Sequence, residues 1–118
     1  MGSSDIINRE ELRERLDNDM ELFIELVDIF VTDSSKLIKN IGDAIKKSDS
    51  DSIGKTAHTL KGAVSNFSAV KAYESALSLE KIGKNNEIDK APDAFEILKT
   101  EVETLKKALE ELKKEKEL

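Results

Sequence analysis

The chain has 118 residues, 37% of them charged, with a net charge of −6, one histidine and no cysteine. That length suffices for one domain with its own core, but it holds no disulfide framework, and one histidine cannot build an ordinary zinc site. The acidic balance disfavours nucleic acid, whose phosphates call for clustered Lys and Arg, and the short apolar runs and missing signal peptide leave no membrane contact and a cytoplasmic location as the expectation.

Met1, Gly2, Ser3 and Ser4 read as a remnant of recombinant expression and stay outside the fold argument. The rest is then either a free protein or a domain excised from a larger one, such as a membrane-anchored hybrid kinase. With one proline, five glycines and no segment of period two, the chain reads as helix throughout. Asn8 followed by Glu11 has the form of a capping box and opens a short helix to about Leu16. Asp17-Asn18-Asp19 is a turn and the next cap. A long helix follows from Met20 to Lys47, with Phe23, Val27, Phe30, Leu37, Ile41 and Ala44 recurring at helical spacing and Ser34 on the same stripe.

Ser48-Asp49-Ser50-Asp51 ends that helix and caps the next, predicted over 52–67. There Ile53, Ala57, Leu60, Val64 and Phe67 form a stripe spaced four, three, four and three. A further helix is predicted over 70–84, with Ala72, Ala76, Leu79 and Ile82 inward, ended by Gly83 and Asn85-Asn86. Ala91-Pro92-Asp93 starts the last helix, proline being tolerated in a first turn, and Phe95, Leu98, Val102, Leu105 and Leu109 supply its stripe. Residues 113–118 form a charged tail with little to bury, expected to fray. Short links favour antiparallel neighbours. Residues 5–112 are therefore expected to fold as an all-α, up-down-up-down antiparallel four-helix bundle with a short extra N-terminal helix.

The lone histidine is the most informative residue. With Ile53 as zero and about 100° per residue, His58 lies about 140° from the core stripe and faces out. Lys61 and Gly62 flank it, and Gly54 and Ser65 lie one turn before and two turns after. A single exposed histidine is ordinarily inert, and Lys61 alone is ordinarily a solvated charge. Two glycines and a serine around that histidine are different, because glycine inside a helix costs about 1 kcal/mol relative to alanine. A partner's backbone could approach closely there. No carboxylate stands at i±3 or i±4 of His58 to orient it as a base, and no glycine-loop motif exists to bind ATP. A neutral imidazole is nevertheless a competent nucleophile towards phosphorus, with Lys61 in reach of the phosphoryl oxygens as a point charge.

At Ala57-His58-Thr59-Leu60-Lys61-Gly62 the sequence resembles the histidine-containing phosphotransfer (HPt) domains of bacterial two-component phosphorelays. Their pattern is Ala-His-x-Leu-Lys-Gly on the second long helix of a four-helix bundle. The likeness extends through the Phe30 region and Leu79-Glu80-Lys81-Ile82-Gly83, from Ile7 to about Leu112. Ser68 departs from it, standing where the family usually has glycine. The resemblance implies that His58 accepts and donates the phosphoryl group, that Lys61 stabilises it and that Gly62 permits docking. Gly54, Ser65, Glu80 and Lys84 would edge the docking surface. It implies no cofactor of the chain's own, and a response-regulator receiver domain as partner that brings the aspartate and Mg²⁺. A sensor histidine kinase is a further partner, and the domain itself is expected to be a monomer.

Two other readings compete. In one, a helical bundle binds a partner with His58 unphosphorylated. In the other, the chain is the phosphoacceptor domain of a sensor histidine kinase, a family that usually has an acidic residue right after the histidine and a proline nearby. Thr59 and the lack of proline near His58 argue against it. Because Lys61 is read as exposed, Lys61→Ala is expected to slow transfer with little change in stability.

Overall fold

The computed structural model describes residues 6–115, and the remnant assigned to 1–4 and the last three residues of the tail lie outside that range. Helix α1 is Arg9–Arg15, α2 Met20–Lys46, α3 Ser50–Ser65, α4 Val70–Lys84 and α5 Ala91–Lys113, with a 3₁₀ turn at Ile88–Lys90 before α5. No strand occurs among the described residues. At 1.5 Å per residue, the 27 residues of α2 span about 40 Å. That is nearly the 45 Å length of the molecule, so α2 forms its spine.

The caps follow the side chains. Asn8, Asp19 and Asp49 each accept a hydrogen bond from the backbone N–H three residues on, at 3.0–3.1 Å. The capping box at Asn8 is only half made. Glu11 turns its carboxylate to the Ser68 hydroxyl at 3.0 Å. The Asn8 N–H instead donates to the Ser68 carbonyl at 3.0 Å. Helix α3 starts two residues earlier than its apolar stripe suggests, because Asp49 is the residue that caps it.

Around the bundle, α3 packs between α2 and α4, and α5 closes the ring between α4 and α2. The four long helices therefore make the expected bundle, with α1 lying across one end. The core joins Phe23, Val27, Phe30 and Ile41 of α2 to Ile53, Ala57, Leu60 and Val64 of α3. Leu79 of α4 and Leu98, Val102, Leu105 and Leu109 of α5 complete it. Phe67 stands edge-on to Phe23 and Phe30, with ring centroids 6.5 and 5.3 Å away. It ties the end of α3 to the first half of α2.

The start of the tail is held. Lys113 completes α5 and pairs with Asp28 of α2 at 2.7 Å, and Glu115 pairs with Arg9. The link between α3 and α4 turns through Ser68, whose φ of 53° lies in the left-handed region. Glycine has no steric penalty there, and serine does. Ser68 is held in place by the bonds from its hydroxyl to Glu11 and from Asn8 to its carbonyl. No helix among the described residues is long and apolar enough to cross a membrane.

Candidate functional site

His58 lies midway along α3 and its side chain is 64% exposed, as the helical phase predicts. The sequence expectation that it lacks a carboxylate partner is corrected by α4. Glu80 reaches across from that helix, and its Oε2 lies 2.9 Å from His58 Nδ1. Spacing along α3 could not reveal this, because the partner is 22 residues away on a neighbouring helix. One sequence signal did exist. Glu80 stands in register with Ala72, Ala76 and Gly83, all buried, and a carboxylate on a buried stripe must be paired or neutral.

Glu80 is 2% exposed and is paired three ways. Its buried Oε1, without a well-aligned hydrogen bond, faces the Lys61 ammonium at 2.8 Å. Its Oε2 is shared by His58 Nδ1 and by Lys84 Nζ, each at 2.9 Å. The Lys61 and Lys84 ammonium groups hold the Glu80 carboxyl down at about 2, well below its ordinary 4.5. They outweigh burial, which pushes the other way, and the bond to His58 adds to them. The same contact raises Lys61 above the ordinary lysine value. Glu80 is thus a carboxylate at every pH the protein meets in a cell.

The two lysines differ. Lys61 is 18% exposed and its ammonium sits 6.0 Å from the Tyr73 ring centroid on α4. Lys61 is therefore not the free surface charge the sequence implied. Removing it would strand Glu80 Oε1, so a stability cost is expected where none was foreseen. Lys84 is 66% exposed and lines a cavity of about 750 Å³ together with His58, Lys55, Thr59, Gly54 and Gly83.

The small residues have separate roles. A Cβ on Gly62 would meet nothing within 4 Å, so the space beside His58 on that side is open. Gly54 is buried, contrary to its expected place on the exposed strip. It forms the crossing of α3 with α4, where a Cβ on Gly83 would come within 2.4 Å of the Gly54 backbone nitrogen. That close approach brings Glu80 to within bonding distance of His58. Ser65 is half-buried. Its hydroxyl donates to the Gly62 carbonyl at 2.6 Å, and its own carbonyl accepts from Arg15 of α1 at 2.7 Å. Among the described residues no group of three or more His, Cys, Asp or Glu side chains is placed to hold a metal.

The bundle superimposes on histidine-containing phosphotransfer protein B of Pseudomonas aeruginosa with a TM-score of 0.85. Identity is 23%, over 91% of this chain and 93% of that one. The shared fold is therefore the HPt helical bundle. No curated protein matches the sequence at a significant level. The Hpt domain family model matches residues 25–114, and the chain belongs to that family. It is a phosphotransfer intermediate of two-component phosphorelays, a carrier rather than a classical enzyme, and domains of this kind interact with the receiver domains of response regulators. The matched segment contains α3, α4 and α5 whole. It leaves out α1 and the first turn of α2, over which the sequence resemblance also extended.

Proposed function

We propose that Nε2 of His58 is the atom that accepts and releases the phosphoryl group. The single observation behind this is the 2.9 Å contact between Nδ1 and Glu80. Ionised Glu80 can only accept, so Nδ1 must carry the hydrogen and Nε2 the lone pair. Glu80 thus orients the ring and selects its tautomer. Nε2 attacks phosphorus of an aspartyl phosphate on a receiver domain. The P–O bond to the aspartate breaks and its electron pair leaves with the aspartate carboxylate. The ring then holds the phosphoryl group on Nε2 and keeps its Nδ1 hydrogen, with its positive charge against Glu80. The reverse reaction returns the group to an aspartate.

Lys61 supplies a fixed positive charge beside the ring. The open space at Gly62, with Ser65 one turn on, leaves room for a receiver to dock, and Glu80 and Lys84 edge that surface. Phosphoryl transfer needs chiefly positioning and charge stabilisation. This chain offers a nucleophile and cations but no nucleotide-binding motif, so the remaining groups fall to the partner. By family resemblance that partner is a response-regulator receiver domain carrying the aspartate and Mg²⁺. A sensor kinase is a second source of phosphoryl groups, and the domain acts as a monomer. Incubation with a phosphorylated receiver should place acid-labile label on the wild type and none on His58→Gln. Equal labelling of the two would overturn the proposal.

A further inference from the structure

We infer that Lys84 is a movable phosphoryl-binding residue, leaving Glu80 to contact the phosphoryl group on His58 while Lys61 stays in place. This rests on the reading of His58 as the phosphoryl carrier and adds a division of labour between two lysines that share one carboxylate. The two oxygens of Glu80 are not equivalent. Oε1 is buried and has Lys61 as its partner, so departure of Lys61 would leave a buried carboxylate oxygen bare. Oε2 has two partners, Lys84 Nζ and His58 Nδ1. When Lys84 leaves, the hydrogen on Nδ1 still satisfies Oε2.

Exposure and position agree with this asymmetry. At 66% exposure the Lys84 ammonium stands in solvent and is free to exchange partners, although the carboxylate it leaves is buried. Lys61, at 18% exposure, is confined between Glu80 and Tyr73. Lys84 Nζ and His58 Nδ1 touch the same oxygen atom, so they can be no further apart than the two bonds laid end to end. Lys84 lies on the cavity side of the ring, and its four-carbon stem allows the ammonium to swing from carboxylate to phosphoryl oxygen. The other lysine lining the cavity, Lys55, pairs with Asp51 at 2.9 Å, one turn away on its own helix, and is not among the partners of Glu80.

The test uses phosphoramidate, a small donor that needs no receiver. Nε2 takes the phosphoryl group and ammonia leaves with the P–N electron pair. The ³¹P resonance of the phosphorylated protein is then titrated with pH for wild type, Lys84→Ala and Lys84→Arg. A cation on the phosphoryl oxygens favours the dianion. The Lys84→Ala midpoint should therefore move to higher pH by a few tenths of a unit, the scale of an exposed ion pair. Lys84→Arg should stay with the wild type. Superimposable curves for wild type and Lys84→Ala would overturn the assignment while leaving His58 as carrier. Failure of the wild type to take up phosphoryl at His58 from either phosphoramidate or a phosphorylated receiver would overturn the carrier reading, and the assignment with it.

Discussion

His58 Nδ1 and Glu80 Oε2 lie 2.9 Å apart although they belong to different helices. The contact exists because Gly54 of α3 and Gly83 of α4 let the two backbones close together one helical turn away. A close crossing of small residues thus fixes the orientation of the nucleophile.

Replacing Gly83 by alanine should therefore damage both stability and site. The added Cβ would meet Gly54 and Ser50 backbone atoms at 2.4–2.8 Å, which cannot yield as a flexible side chain would. A loss of about 1–3 kcal/mol, the usual scale for overpacking, is expected in chemical denaturation. Phosphorylation by a receiver should slow as α4 and Glu80 shift outward. A variant as stable as the wild type would show that the crossing is looser than described.

Gly62→Ala should do the opposite to stability. With open space around it, the alanine gains about 0.5–1 kcal/mol of helix propensity. Transfer from a receiver should nonetheless fall, because the methyl group stands where a partner would approach. A stabilised variant with unchanged transfer would remove Gly62 from the docking surface.

Glu80 makes stability depend on pH in a defined sense. Its folded-state value is depressed from 4.5 to about 2. Its contribution is therefore complete above 4.5 and is lost as pH falls from 4.5 towards 2. Allowing for solvent near the paired groups, about 2 kcal/mol is at stake. The stability difference between wild type and Glu80→Gln, measured by urea unfolding, should shrink over that interval. A difference constant from pH 6 to pH 2.5 would contradict the pairing.

The same geometry separates Lys61 from Lys84. Lys61→Ala strands a buried oxygen and should lower the melting temperature by several degrees, whereas Lys84→Ala, which leaves Oε2 its His58 partner, should lower it less. Equal melting temperatures would mean that Lys61 is as free as its place on the helix suggested.

Ser68 invites a comparison of glycine with alanine. Ser68→Ala keeps the left-handed backbone and loses the bond to Glu11, so a loss of about 1 kcal/mol is expected. Ser68→Gly loses the same bond but relieves the backbone, and should come out near neutral. Thermal unfolding of the pair decides it, and equal losses would show that the φ of 53° carries no cost.

What the sequence made legible was whatever repeats along one helix. The stripes through Phe23 to Ala44 and Ile53 to Phe67, and the caps at Asn8, Asp19 and Asp49, located the helices to within two residues. The outward phase of His58 came from the same periodicity. Contacts made between helices were hidden from it. Gly54 looked exposed because its own helix could not show that α4 covers that flank. Glu80 looked peripheral because its partner is 22 residues distant. Its place in register with Ala72 and Ala76 was the one available cue, since a carboxyl there must either be paired or stay protonated.

The central claim is that Glu80 holds Nδ1 and leaves Nε2 to react. Phosphorylation of ¹⁵N-labelled protein by a phosphorylated receiver, followed by ¹H–¹⁵N correlation of the imidazole ring, measures this directly. The phosphoryl group should appear on Nε2 with hydrogen retained on Nδ1. Phosphorylation of Nδ1, or none on His58, would contradict it.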